Sequence, residues 1–329
     1  MFDNKVVLIT GGTGSWGNEL VRQLLDNGAC EIRIFSRGEL SQVMMQRDFN
    51  DNRLRFIIGD VRDQDAINKA AQGVDYIFHL AALKHVPICE EHPEEAVKTN
   101  IQGVMNVIDA AVNNNVCKVV YISSDKAVEP LNLYGMTKAA GEKLIVNGNK
   151  LNSSTRFVCV RAGNILGSNG SILPYFIDQI KKHNRIRLTD EKMTRFFLTL
   201  PDAVKFLCKA ADISYGGEIF VIKMPSCYIL DLARVLIGVY GSDSTELQTI
   251  GVRPGEKTNE VLLSQYEAEN SYYYDDYLLI MPSIKVSGLF EHYNRHEPLK
   301  KVDFMEYTSV DKPMDAQQIK SLLQKGGFI

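Results

Sequence analysis

An apolar run, KVVLIT at residues 5–10, passes directly into the glycine-rich turn GGTGSWG and then into NELVRQLLDNG, whose apolar residues recur at helical spacing. A buried strand, a tight turn and an amphipathic helix in that order confine the chain to a small set of α/β architectures. Gly11, Gly14 and Gly17 allow close backbone approach to a pyrophosphate, and the helix N-terminus beyond them favours negative charge. The spacing is G-x-x-G-x-x-G rather than G-x-G-x-x-G, and glycine serves any tight turn. Its position after the first strand is what gives this turn a dinucleotide-binding reading. Thr13, Ser15 and Trp16 complete the cofactor-binding turn. Trp16, the single tryptophan, is expected to pack beneath the loop as an anchor.

The pattern then repeats. EIRIFS (31–36), RFIIGD (55–60), VDYIFHL (74–80), KVVYISS (118–124) and RFVCVRA (156–162) read as further strands. Helical stretches at 63–72, 93–114 and 134–150 separate them. Alternation of this kind implies an α/β fold with a doubly wound, Rossmann-type parallel sheet and helices on both faces. After residue 165 the alternation loosens. The expectation is a dinucleotide-binding domain over 1–165, joined by a return strand near 216–222, and a smaller mixed lobe over 166–329 that binds substrate. The aromatic stretch SYYYDDYLLIMP (271–282) reads as a strand or a subunit contact, and MDAQQIKSLLQ as a terminal helix. A length of 329 residues suits this division.

Bulk composition excludes several classes. The net charge of −3 and the lack of a basic tail argue against nucleic acid. The apolar runs are too short to span a membrane, and no signal-peptide pattern opens the chain. The six cysteines are scattered without C-x-x-C, and the six histidines lack ligand spacing. Reduced thiols in a cytoplasmic protein without a metal are therefore expected.

The second strand ends in Ser36 and Arg37, not in the acidic residue that holds an NAD ribose. Arginine there accommodates a 2′-phosphate, which points to NADP, with NAD as the alternative because Glu39 follows closely. Asp60 and Val61 are placed to meet the adenine. Ala81 and Ala82 leave room for the cofactor, and Asn100 is expected to brace the helix behind the site. Tyr134 and Lys138 form Y-x-x-x-K, which sets both side chains on one helix face. A lysine beside a tyrosine favours the phenolate, so Tyr134 can take a hydroxyl proton while hydride leaves the same carbon, and Lys138 can hold the nicotinamide ribose.

Together, TGGTGSWG, SRGE, GDVRD, AALKHVP, KTNIQG, SSDKAVEPLNLYGMTK, RAGNILGSNGSILPYF, MTRFFLTL and GVRPGEK give the chain its kinship. It resembles an extended short-chain dehydrogenase/reductase, and most of all the soluble, C5-inverting UDP-N-acetylglucosamine 4,6-dehydratases of pseudaminic-acid and capsule-sugar biosynthesis. The resemblance implies that Tyr134 deprotonates the C4 hydroxyl, that Lys126 removes the C5 proton made acidic by the 4-ketone, and that Asp125 protonates the departing C6 hydroxyl. Lysine acts as a base only when neutral, so Lys126 is expected to have a depressed pKa, and Asp125 a raised one. Ser124 is expected either to hydrogen-bond the substrate near O4 or to cap a local turn.

The resemblance also implies a UDP-sugar substrate and a homo-oligomer. Arg253 suits the diphosphate, Glu256 the ribose hydroxyls and Asn164 the diphosphate or hexose. Lys84 is a candidate for cofactor and substrate alike, and Arg195 for the substrate, each with a structural ion pair as its competing role. The chain departs from the family pattern at Ser124 (often Thr), Ala162 (Tyr), Asn169 (a basic residue) and Asn259 (His). Those changes leave open a related enzyme that acts only on a 5,6-ene sugar. A UDP-sugar epimerase has no use for Asp125 and Lys126, and a silent nucleotide-binding regulator has no use for the whole set.

Overall fold

The computed structural model describes residues 1–151, 154–168, 170–295 and 297–329; Asn169 lies outside the described residues. Strand β1 (Val6–Thr10) is buried from Val7 onward. Both of its faces are covered, which is why the run is apolar without alternation. Around it lie β2 (Glu31–Ser36), β3 (Leu54–Ile58), β4 (Tyr76–His79), β5 (Lys118–Ser124), β6 (Arg156–Ala162) and β7 (Ile219–Ile222). All of these pairings are parallel, in the order β3-β2-β1-β4-β5-β6-β7. The order reverses between β1 and β4, so the carboxyl ends of those strands open a crevice, the usual ligand position in such sheets.

The aromatic stretch is a strand pair that extends this sheet. β8 (Ser271–Tyr274) and β9 (Tyr277–Ile280) form a hairpin, β9 pairs antiparallel with β7, and β8 pairs with the short β10 (Lys300–Lys301). The helical stretch expected over 93–114 is interrupted. Pro93–Val97 and Gly103–Asn113 are α-helical, and Lys98–Gln102 between them is a π-helical turn, a distortion often found at functional sites.

Two apolar cores exist among the described residues. One runs along the large sheet, and the other lies beneath the helices Ile172–His183, Ile229–Tyr240 and Ala316–Lys325, built on Leu173, Phe176, Leu232, Leu236 and Leu323. Ile165 belongs to the first and Leu166 to the second. More of the second half returns to the sheet than the one strand expected. Ala203, Val204 and Leu207 of the helix Leu200–Ile213 also pack into the first core, as do β8 and β9. Among the described residues no helix is long and apolar enough to cross a membrane.

Candidate active site

The glycine turn is built for close approach. Gly11 has φ +69°, and a Cβ there would stand 2.8 Å from the Ala81 Cα; a Cβ on Gly17 would stand 2.1 Å from the Gly12 carbonyl oxygen. Neither position has room for a side chain. Gly14 caps the helix Ser15–Asp26, whose first turn carries no acidic residue, so the positive end of the helix dipole meets no carboxylate of its own there. This cradle fits a dinucleotide diphosphate. Trp16 packs half-buried against the sheet core, the anchoring role expected of it.

At the end of β2 the Ser36 hydroxyl accepts a hydrogen bond from Gln42 Nε2 at 3.0 Å. Arg37 extends beyond it, 4.0 Å from Asp60 Oδ2. Burial pushes Asp60 up, but hydrogen bonds from Arg62 outweigh it and hold the carboxyl below its usual range. Val61 packs against Gly103, where a Cβ would meet its Cγ2 at 2.8 Å. Asn100, on the π turn, accepts from Leu83 N–H at 2.8 Å and donates to Leu83 O and Thr137 Oγ1, both at 2.9 Å. It therefore ties the Ala81–Ala82 loop to the tyrosine helix, the bracing role expected.

The chemistry-bearing stretch follows β5. The Ser124 hydroxyl caps the 3₁₀ turn Asp125–Ala127 by accepting from Lys126 N–H at 3.2 Å, and it donates to Asp125 Oδ1 at 2.7 Å. The local cap, its competing role, is thus present. Asp125 is buried, and its Oδ2 has no partner among the described residues. Lys126 Nζ lies 3.1 Å from Asp125 Oδ1 and 3.3 Å from Glu260 Oε1.

That arrangement corrects the expectation of a depressed Lys126 pKa. Burial alone would lower it, but the charges of Asp125 and Glu260 prevail and raise it above its ordinary value. Lys126 thus lies between the carboxyl groups of Asp125 and Glu260, whose charges favour its ammonium form. The expected partner of Tyr134 changes as well. Burial pushes the phenol up to about 12, and the cation pulling it back most strongly is Lys126, with help from the Ser124 hydroxyl. Lys138 instead donates to Ile122 O and stands 3.9 Å from the centroid of the Tyr121 ring. Burial brings its ammonium down to about 7, against the opposing charge of Glu142.

The tyrosine helix, Leu133–Gly148, is set by Asn132, whose Oδ1 accepts from Gly135 N–H and whose Nδ2 donates to Gly255 O, both at 2.8 Å. One side chain therefore caps the helix and anchors the GVRPGEK loop. Behind the helix, the fully buried Arg161 bonds both oxygens of Glu142 (2.9 and 2.7 Å) and both of Glu267 (3.0 and 2.9 Å).

A cleft of about 780 Å³ opens over Lys126. All five expected substrate residues, Lys84, Asn164, Arg195, Arg253 and Glu256, line it. Its walls carry the cations Lys84, Lys126, Arg187, Arg195, Arg253 and Lys257, against Asp178, Glu256 and Glu260, a balance that suits a diphosphate. Ile172, Pro174 and Tyr175 supply apolar lining.

Arg195 takes the structural role. It is buried, donates to the carbonyls of Thr194, Lys257 and Thr258 at 2.7, 2.8 and 3.0 Å, and pairs with Glu256 and Glu260 at 3.6 and 3.5 Å. Glu256 is correspondingly engaged by Arg195. Burial lowers the Lys84 pKa, while Arg253 stays exposed at the cleft mouth. Glu260 and Lys257 were not anticipated from sequence. The signal was present in GEKTNE, where Glu260 follows Glu256 by one helical turn's spacing, but its meeting with Lys126 is tertiary.

A family model described as polysaccharide biosynthesis protein matches residues 7–282. The chain belongs to that family. It is 44% identical over 290 residues to the UDP-N-acetylglucosamine 4,6-dehydratase (inverting) of Campylobacter jejuni subsp. jejuni serotype O:23/36 (strain 81-176), covering 87% of this chain and 85% of that one. It is 42% identical to the UDP-glucose 4-epimerase of Rickettsia rickettsii (strain Sheila Smith), covering 98% and 96%. Among solved structures, Pen from Bacillus thuringiensis superposes over 100% of both chains with a TM-score of 0.93 at 36% identity. The doubly wound, Rossmann-type parallel sheet expected from sequence is the fold present.

Proposed function

We propose that this protein is a nicotinamide-dependent UDP-N-acetylglucosamine 4,6-dehydratase that inverts C5, giving a UDP-4-keto-6-deoxy-N-acetylhexosamine. The observation that carries this reading is that Asp125 and Lys126 act electrostatically on Tyr134 while Lys126 lines a cationic cleft. A simple epimerase needs only the tyrosine.

Gly11, Thr13, Gly14, Ser15 and Gly17 hold the dinucleotide diphosphate in this reading, with Asp60, Val61, Ala81 and Ala82 around the adenosine and Lys138 at the nicotinamide ribose. Arg37, at the end of β2, favours NADP over NAD. When bound, the cofactor supplies hydride acceptance from C4 and hydride return to C6. Tyr134 takes the C4 hydroxyl proton, with Lys126 beside it to stabilise the phenolate. The C4 carbonyl acidifies C5–H, Lys126 withdraws that proton, and Asp125 delivers one to the departing C6 oxygen. Because Nζ and Oδ1 are 3.1 Å apart, the proton taken from C5 has a direct path to C6. Arg253, Lys84 and Asn164 hold the diphosphate and hexose. A homo-oligomer in the cytoplasm completes the proposal.

One observation favours a second reading, completion of an already dehydrated 5,6-ene sugar. The charges of Asp125 and Glu260 favour the ammonium form of Lys126, the form that gives a proton to C5. Incubation of the purified protein with cofactor and UDP-N-acetylglucosamine separates the readings by mass spectrometry and NMR at C5. Loss of one water with inverted C5 supports the proposal. An unchanged sugar nucleotide refutes it, and an isomer of unchanged mass would make the protein a 4-epimerase.

A further inference from the structure

We infer that Glu260 is the proton-holding partner of Lys126: its Oε1 takes a proton from Lys126 Nζ, leaving the free amine that C5 deprotonation needs. The inference rests on the dehydratase reading for the identity of the reacting carbon. In the step, one N–H bond of Lys126 breaks, an O–H bond forms on Glu260, and the electron pair stays on Nζ. An ion pair becomes a neutral pair, so the buried site gains no net charge. Reversal returns the proton through Lys126 when C5 is reprotonated.

Several observations support it. Glu260 is 2% exposed, and Nζ stands 3.3 Å from its Oε1. Its backbone is fixed from both sides by Ser309, whose Oγ accepts from Glu260 N–H and whose N–H donates to Glu260 O, both at 2.9 Å. The backbone that carries the carboxyl is therefore held in place. Its other oxygen, Oε2, has no partner among the described residues, which is costly for a carboxylate and less so for a neutral acid. Asp125 Oδ2 is in the same position, so two buried carboxylates share one ammonium. The ammonium proton therefore has a carboxyl oxygen within reach on either side.

The choice between them follows from their neighbours. Asp125 Oδ1 is already occupied by the Ser124 hydroxyl at 2.7 Å, while Glu260 Oε1 stands beside Lys126 Nζ at 3.3 Å. Glu260 faces Asp125, Lys126, Arg195 and Lys257, and Arg195 directs most of its donors to backbone carbonyls. Burial and the Asp125 charge together keep the Glu260 acid above its usual range despite the three cations. Lys126 faces Asp125, Glu260, Arg195 and Tyr134. Closing the cleft over a substrate strips water from these charges and moves the balance toward the neutral pair.

The test uses the full chain with bound cofactor and follows solvent deuterium incorporation at C5 of UDP-N-acetylglucosamine against pH. Internal transfer makes the wild-type rate flat from about pH 6 to 8, since no proton leaves the pair. Glu260→Gln keeps the side-chain volume but cannot accept the proton. Its rate should fall about a hundredfold at neutral pH and then climb about tenfold per pH unit, because Lys126 must now lose its proton to solvent. Glu260→Asp should restore part of the flat profile. A uniform fall with the wild-type pH shape would mean a structural role and overturn the inference. A second arm needs no substrate. Nitrogen-15 NMR of lysine-labelled protein should show the Lys126 midpoint dropping by at least about one pH unit in Glu260→Gln; an unchanged midpoint also overturns it. Absence of C5 exchange in the wild type would refute the dehydratase reading, and the NMR arm would still judge the Lys126–Glu260 pair.

Discussion

Gly135 is where the tyrosine helix touches the acid–base turn, and Gly135→Ala tests how closely that contact sets the chemistry. The added Cβ would lie 2.2 Å from the Lys126 carbonyl oxygen and 2.9 Å from Pro130 Cβ. A relaxed carbon–oxygen contact is about 3.3 Å, so helix and turn must part by about 1 Å. Both neighbours are backbone or a proline ring, and neither has a rotamer to change. Overpacking of this kind costs about 1–3 kcal/mol. Alanine recovers about 0.5–1 kcal/mol of it through helix propensity, leaving a net loss of about 0.5–2 kcal/mol. The functional cost is larger, because Tyr134 moves with the helix while Asp125 and Lys126 move with the turn. A displacement near 1 Å costs about a hundredfold in turnover. Steady-state kinetics and calorimetry on the same preparation measure both quantities. Gly238→Ala is the control: it sits in the helix Ile229–Tyr240, and an added Cβ there would meet nothing within 4 Å, so it should keep full turnover and melt at the same temperature or higher. Wild-type turnover in Gly135→Ala would refute the claim that this contact aligns the three groups.

Other expectations follow from the same geometry. Arg161→Leu strands Glu142 in the interior and leaves the half-buried Glu267 unpaired, and should cost about 3–5 kcal/mol, read from urea denaturation midpoints; a smaller effect than Arg253→Ala would contradict the buried network. Arg253→Ala, at the exposed mouth, should raise KM about ten- to a hundredfold with little change in kcat, and equal loss in both parameters would give it a different role. Lys138 predicts a pH dependence of stability. Its folded pKa of about 7 lies below the ordinary 10.5, so between those values the unfolded chain binds more protons and stability rises with pH. Below about pH 7 the benefit is absent. Denaturation midpoints of wild type and Lys138→Met should therefore diverge in favour of the wild type from pH 7 to 9, and parallel curves would show that the lysine titrates normally.

The parallel sheet was legible because burial on both faces demands apolar runs, and β2, β5 and β6 fall at the residues those runs mark. The glycine turn was legible because backbone approach leaves room for no other residue at Gly11 and Gly17. The break in the helical stretch 93–114 was not, since a π turn changes the hydrogen-bond register and leaves little trace in residue spacing. Arg195 could be weighed only as a charge, because backbone carbonyls that consume its donors carry no sequence signature.

Linear sequence thus determined the order of the elements, the position of the glycine turn and the nearness of Asp125 and Lys126 to Tyr134 and Lys138 along the chain. Those properties depend on backbone sterics and local periodicity, which are written residue by residue. The tertiary structure decided the protonation states. Glu260 lies 134 residues after Lys126 in the chain and 3.3 Å from it in space, and its charge joins that of the neighbouring Asp125 in reversing the pKa shift that burial alone would cause. Electrostatic energy depends on distance and dielectric rather than on sequence separation, so the charge on Lys126 became visible only once the fold had placed its partners.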